Sequence, residues 1–168
     1  MNDGDGEHAG GDQTVEGMAR IVADADVLAA DLLVGGTPRE AMDLVRSHSW
    51  IALVASESLL TDTEAVIADL ADGTLAADWR EKIDELAEMV THPMDDHPAI
   101  ASAYHGGARH VLTFDESLLS ATAATTIRSR VETSVKHPTA FVKLFDPASI
   151  YPEVGGGTYE GPDRDPRD

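Results

Sequence analysis

The 168-residue chain contains no cysteine, which excludes disulfides, thiolate metal sites and a cysteine nucleophile. No run approaches the ~18 consecutive apolar residues of a membrane-spanning helix. The first residues, Met-Asn-Asp-Gly-Asp-Gly-Glu, lack the basic and apolar regions of a signal peptide. No glycine-rich phosphate loop, nucleophile elbow or paired-histidine zinc motif is present. These absences predict a cytoplasmic protein without a membrane segment.

Lysine is nearly absent, with only Lys82, Lys136 and Lys143. Lys plus Arg is 12 against 31 Asp plus Glu, a formal net charge of −19. Such a chain repels itself at low salt, whereas molar salt shortens the Debye length to ~3 Å and screens the repulsion. Because the acids are spread over the whole chain, we interpret them as an adaptation to the salty cytoplasm of a halophilic archaeon. The alternative is an acidic protein that binds a basic partner.

The sequence divides into two polar tails and one domain. Residues 1–18 and 153–168 are poor in apolar residues and predict disordered tails around a domain at 19–152. Within the domain, short apolar runs at 21–25, 50–55, 110–113 and 131–136 alternate with helical patterns, one of them over 75–90. Ile150 and Tyr151 could add an edge strand. This alternation predicts an α/β fold, a three-layer α/β/α sandwich around a mostly parallel sheet of four or five strands.

Carboxylates follow two of the predicted strands. Asp24 ends the first and Asp115 ends the third. In an open α/β sheet the carboxyl ends of the strands are where ligands bind. Converging carboxylates repel each other unless a cation lies between them. Asp62, in the helix after the second strand, and Asp96, before the helix at 98–105, would complete a set of four hard oxygen ligands suited to Mg²⁺ or Mn²⁺.

Several of the polar residues near these strand ends have two possible roles each. Asp26 and Asp96 could be ligands or could cap helices, where Asp is favoured, and Asp62 could be a solvated helix acid. Ser56 and Thr113 could hydrogen-bond the carboxylates or a phosphate, or satisfy backbone groups. The histidines are less suited to a shared metal. His97 and His105, eight residues apart on one predicted helix, would lie about 12 Å from each other.

Five segments occur in an order that is similar to a known family. They are Ile21-Val22-Ala23-Asp24-Ala25-Asp26, Ala55-Ser56-Glu57-Ser58-Leu59-Leu60-Thr61-Asp62, Asp95-Asp96-His97-Pro98-Ala99-Ile100, Ala108-Arg109-His110-Val111-Leu112-Thr113-Phe114-Asp115 with Leu118-Leu119, and His137-Pro138-Thr139-Ala140-Phe141. Over residues 20–146 the chain resembles the PIN domain (PilT N-terminus), a family of metal-dependent ribonucleases. It departs from the family pattern in having Asp26 where Asn or Ser is usual, and Asp62 where Glu is usual.

The resemblance implies a function. It predicts a Mg²⁺- or Mn²⁺-dependent ribonuclease with RNA as its partner and no small-molecule cofactor. Asp24, Asp62, Asp96 and Asp115 would hold the metal and carry catalysis, supported by Asp26, Ser56 and Thr113. Water would attack the phosphorus in line and leave a 5′-phosphate and a 3′-hydroxyl.

Two alternatives remain open on the sequence. In the first, the domain has lost cleavage and serves as an RNA-binding or protein-binding module, since Asp62 is shorter than Glu. In the second, the protein is the toxin of a toxin–antitoxin pair. A homodimer is compatible with the fold, although the sequence contains no evident self-complementary patch.

Overall fold

A parallel β-sheet forms the centre of the protein in the computed structural model, which describes residues 16–94, 96–120, 133–155 and 157–167. Within these residues the sheet has five strands in the order β3-β2-β1-β4-β5, and every neighbouring pair is parallel. The predicted α/β class with a parallel sheet is confirmed. The strands are β1 (Arg20–Ala23), β2 (Ala52–Ser56), β3 (Ala87–Val90), β4 (His110–Leu112) and β5 (Ser134–Lys136).

Helices occupy most of the remaining described chain, an arrangement consistent with a three-layer α/β/α sandwich. Their starts follow ordinary capping chemistry. Asp24, Ser56 and Asp72 each accept a backbone N–H at a helix start. The described helices are α1 (Ala25–Leu33), α2 (Gly36–Arg46), α3 (Glu57–Leu70), α4 (Gly73–Leu86), α5 (Pro98–Gly106), α6 (Glu116–Leu119), α7 (Pro138–Leu144) and α8 (Pro147–Gly155).

The strand order creates a switch point beside β1. The chain builds outward from β1 through β2 to β3 and then returns to place β4 on the other side of β1. Ala23 of β1 is paired with Leu112 of β4, so the two strands end side by side. In α/β proteins, the strand ends at such a switch point are where ligands commonly bind.

The core holds this edge of the sheet rigid. Ile21, Val22, Val111 and Leu112 are fully buried, as expected of parallel strands covered on both faces.

The turn between α1 and α2 depends on glycine, because Gly35 and Gly36 have φ angles of 81° and 62°, a region that side-chain-bearing residues rarely adopt.

Three segments differ from their predicted structure. The helical pattern predicted over 75–90 ends at Leu86, and residues 87–90 form strand β3 instead. Ile150 and Tyr151, predicted as an edge strand, lie in α8. Residues 157–167, within the predicted disordered tail, pack near the end of α2, where Asp163 accepts hydrogen bonds from Ser49. The predicted N-terminal tail up to residue 15 and the pattern at 121–132 lie outside the described residues.

Among the described helices, none is long and apolar enough to cross a membrane.

Candidate carboxylate site at the switch point

Three carboxylates meet where β1 and β4 end. Asp24 follows β1 directly, Asp26 lies in the first turn of α1, and Asp115 follows the short segment after β4. Repulsion from both Asp24 and Asp115 acts on Asp26, which places the three charges in one neighbourhood. The convergence that the sequence predicts for Asp24 and Asp115 is therefore present, with Asp26 as the third member.

Thr113 links the two strand ends. Its fully buried hydroxyl donates to Asp24 Oδ2 at 2.9 Å and accepts the backbone N–H of Asp115 at 3.0 Å. Asp24 Oδ1 accepts the N–H of Ala25 at 2.8 Å and thereby caps α1. Both predicted roles of Thr113 are found, since its hydroxyl bonds a carboxylate and also satisfies a backbone N–H. Both Asp24 oxygens are thus held in place by the protein.

Asp26 is the least satisfied member of the group. Its Oδ2 accepts the Phe114 backbone N–H at 3.1 Å, but its Oδ1 is buried and has no partner among the described residues. Burial, followed by repulsion from Asp24, raises the pKa of this carboxyl above its ordinary value. A buried carboxylate oxygen without a donor is unfavourable. The protein alone therefore does not satisfy this oxygen, as a bound ligand would. Asp26 does not take its alternative role as a helix cap, because Asp24 caps α1.

Asp115 is exposed and remains ionised. Its Oδ1 accepts the hydroxyl of Ser117 at 2.7 Å and the Ser117 backbone N–H at 2.9 Å. These hydrogen bonds lower the pKa of Asp115, and the nearby His97 acts in the same direction. The interaction with His97 also places the start of α5 close to this carboxylate.

The structure does not bring Asp62 or Asp96 into hydrogen-bond or ion-pair contact with this group. Asp62 lies on the exposed surface of α3, one residue before the buried Thr63. Asp96 is also exposed, and the cap of α5 is the imidazole of His97, which accepts the Ala99 N–H. The predicted capping role of Asp96 is therefore wrong, because the side chain one residue later takes that position.

Ser56 lies in a separate polar cluster at the end of β2. Its hydroxyl accepts the N–H of Leu59 at 3.3 Å, as predicted for a helix cap. The same oxygen is 2.8 Å from His92 Nε2 and 2.9 Å from the hydroxyl of Ser102. Of the two predicted roles of Ser56, satisfaction of the backbone is the one found, since its hydrogen-bond partners among the described residues include none of the three carboxylates.

The chemistry of the donors fits a hard cation. In the described part of the chain, no group of three or more His, Asp or Glu side chains is already arranged to hold a metal ion. Mg²⁺, however, is commonly bound by one or two carboxylates while waters and substrate phosphates supply its other ligands. Asp24 and Asp26 meet that smaller requirement, and the unpartnered Oδ1 of Asp26 is an oxygen that a cation would satisfy.

The residues that position the carboxylates were not singled out from the sequence. Phe114 holds Asp26 through its backbone N–H, and Ser117 orients Asp115. A hydrogen bond from a backbone N–H does not depend on which residue donates it, so the sequence could not indicate the role of Phe114. The role of Ser117 was more predictable, because an Asp commonly accepts the N–H of the residue two positions later.

Comparison with known proteins leaves the activity open. The sequence pattern of DUF7384, a family of unknown function, matches residues 16–167. No curated protein and no solved structure matches the chain significantly. The assignment to the PIN domain is therefore wrong, because the family that matches nearly the whole described chain is a different one. The segments that carried the resemblance, strands followed by acids, are shared by many α/β proteins with sites at strand ends.

Proposed function

The chain belongs to DUF7384, a family of unknown function, and for this protein we propose Mg²⁺- or Mn²⁺-dependent hydrolysis of RNA phosphodiesters at Asp24, Asp26 and Asp115. The observation that carries the proposal is the buried, unpartnered Oδ1 of Asp26 within a cluster of like charges. For stability alone the edge needs only Oδ2, which accepts the Phe114 N–H, whereas a buried Oδ1 without a donor is unfavourable.

A divalent cation bound here would act as a Lewis acid on water and on the phosphodiester, which is the chemistry that metal-dependent nucleases use. The two carboxylates that it needs are Asp24 and Asp26, and the RNA phosphate would supply further oxygens. Asp62 and Asp96 have no part in this proposal, since both lie exposed without contact to the group.

Each residue of the site has a distinct task. Thr113 fixes the orientation of Asp24 through its hydroxyl, and the Phe114 N–H fixes Asp26. Asp26 would bind the cation through Oδ1, its oxygen without a hydrogen-bond partner among the described residues. Asp115, whose pKa is lowered, keeps its negative charge throughout.

Support for a nucleic-acid substrate comes from the same edge of the sheet. The ring of Phe114 lies 5.0 Å from that of His137 in an edge-to-face contact, and His137 is exposed. Aromatic rings beside a cleft offer stacking surfaces to unpaired bases, a contact worth roughly 1–3 kcal/mol per base. An acidic chain has no broad basic surface with which to bind RNA phosphates. Stacking on the bases and a cation between carboxylates and phosphate are contacts that such a chain could still make.

The test is cleavage of a fluorescent single-stranded RNA in molar KCl with Mn²⁺. We expect cleavage by the wild type and a loss of at least about 100-fold in Asp24→Asn and Asp26→Asn, the order of effect for a displaced catalytic group. Asp69→Asn, an exposed substitution on α3, is the matched control and should retain full activity. Equal rates in the wild type and both site variants would reject the proposal, because the activity would then be a contaminant.

A second candidate is a metal-binding module that recognises RNA without cleaving it. It is favoured by one observation: the described carboxylates do not form a group of three positioned ligands. RNA binding that requires Mn²⁺ and Asp26, without cleavage of RNA of any sequence tried, would select this candidate over the nuclease.

A further inference from the structure

A second concave site lies at the opposite end of α1 from the carboxylates. Asp31 and Leu32, in the last turn of α1, line a cavity of 690 Å³ together with parts of α2, α4 and residues 163–167. Asp31 lies five residues after Asp26 along α1, so about 7.5 Å of helix separates the two sites. The volume falls within the roughly 300–1,000 Å³ range of small-molecule sites.

The cavity collects positive charge in a strongly negative protein. The chain has 12 basic residues, and five of them line this one cavity. Four acids, Asp31, Asp78, Asp163 and Asp165, are also in the lining, so the cations outnumber the carboxylates here, although acids dominate the chain as a whole. The five cations are Arg39, Arg46, Lys82, Arg164 and Arg167.

Most of these cations have no carboxylate partner among the described residues. Arg46 forms salt bridges with the buried Asp31 and with Asp43, whereas Arg39 donates only to the backbone carbonyls of Asp31 and Leu32, at 2.8–3.1 Å. Among the described contacts, no hydrogen bond or ion pair involves the side chains of Lys82 or Arg167. In a chain with so many acids, unpaired cations that share a cavity indicate a site for an anion.

The acids of the lining are largely engaged elsewhere. Asp163 accepts the N–H and hydroxyl of Ser49, and Asp165 accepts the backbone N–H of Arg167. Asp31 is neutralised by Arg46. Asp78, four residues before Lys82 on α4, is exposed and is the one lining acid without a partner among the described residues. One such carboxylate does not balance Lys82 and Arg167 together, so the cavity still offers positive charge to a ligand.

The α4 wall of the cavity, which carries Lys82, also presents apolar residues. It includes Leu75, Trp79, Ile83 and Leu86 of α4, of which Trp79 and Ile83 belong to the buried core. An inorganic anion alone would make no apolar contact with these side chains. We propose that the cavity binds a phosphorylated organic molecule of mononucleotide size, with the phosphate at Lys82 and Arg167 and the organic part against the α4 wall.

Calorimetric titration with adenosine 5′-monophosphate tests the proposal, in molar KCl with EDTA so that no divalent cation occupies the carboxylate site. We expect binding by the wild type, and about tenfold weaker binding in Lys82→Gln and in Arg167→Gln, the loss of one charge-assisted hydrogen bond each. Lys143→Gln, which neutralises an exposed lysine outside the cavity lining, is the control and should bind as the wild type does.

The organic part is tested by two further ligands. Adenosine and inorganic phosphate should each bind at least about tenfold more weakly than the monophosphate, because each lacks one half of the contacts. Equal affinity for inorganic phosphate, absence of binding by the monophosphate, or unchanged binding in both cavity variants would overturn the proposal. Asp26→Asn should leave this binding unchanged, so the result is independent of the nuclease assay.

Discussion

The imidazole of His110 packs against the rings of Phe141 and Phe145, with centroids 5.7 and 5.6 Å away. Burial, reinforced by the positive charges of Lys136 and Arg109, lowers its pKa from 6.5 to about 4. The unfolded chain therefore binds a proton at a higher pH than the folded protein does. The free energy of unfolding must fall as the pH drops from about 6.5 to about 4.

This difference in pKa between the folded and unfolded states predicts that His110 alone makes the protein less stable in acid. Between pH 7 and 4 the wild type should lose about 3 kcal/mol more unfolding free energy than His110→Gln, since one pKa unit corresponds to 1.36 kcal/mol. Urea unfolding at a series of pH values and fixed salt measures it. His105→Gln, at an exposed position, should keep the wild-type slope, and parallel curves for wild type and His110→Gln would refute the assignment.

Single residues also show how far the candidate site could be predicted. Asp24 and Asp115 were identifiable because each follows a buried apolar strand, and strand ends converge in a parallel sheet. Asp62 and Asp96 were chosen because they lie near predicted helix starts and because of a family resemblance that does not hold, and in the structure both are exposed. The unsatisfied oxygen of Asp26 depends on the three-dimensional position of the Phe114 backbone, which no residue pattern encodes.

At the scale of elements, the C-terminal segment 157–167 acts as a strap across the end of α2. The Tyr159 hydroxyl lies 2.7 Å from Nε2 of the buried His48, whose Nδ1 lies 2.8 Å from the Leu44 carbonyl. The backbone N–H groups of Asp163 and Arg164 both donate to the Ser47 carbonyl. The strap therefore satisfies polar groups that would otherwise be buried without partners.

Removal of one strap hydroxyl should be measurable. Tyr159→Phe keeps the ring but leaves His48 Nε2 without its partner, so we expect a loss of about 1–3 kcal/mol in unfolding free energy. Tyr104→Phe is the control, because Tyr104 is 51% exposed. Urea midpoints compare the two, and an equal, negligible effect of both substitutions would show that the strap contributes nothing to stability.

The two mispredicted elements have different causes. Ile83, Leu86 and Val90 continue a helical spacing, yet pairing with β2 places residues 87–90 in the sheet, so a tertiary interaction overrides the local pattern. At residues 147–155, Asp146 accepts the Ala148 N–H and Pro147 takes the first helical position, a start signal that outweighs the β-branched and aromatic pair at 150–151.

At the scale of the whole molecule, topology and charge determine what the protein can bind. The strand order places Asp24 and Asp115 at the switch point, and the net charge of −19 disfavours anionic ligands everywhere except at a metal or a local group of cations. The parallel α/β class was predictable, because alternating strands and helices admit few other architectures. The position of β3 at the sheet edge was not, since its residues carry no strand periodicity.

The central claim is that the switch-point carboxylates bind a divalent cation, and calorimetric titration with Mn²⁺ in molar KCl tests it most directly. The wild type should bind Mn²⁺, Asp26→Asn should weaken binding by at least about tenfold, and the exposed control Asp69→Asn should bind as the wild type does. Binding that Asp26→Asn leaves unchanged, or that Asp69→Asn weakens equally, would contradict the claim and assign the Mn²⁺ to the general acidic surface.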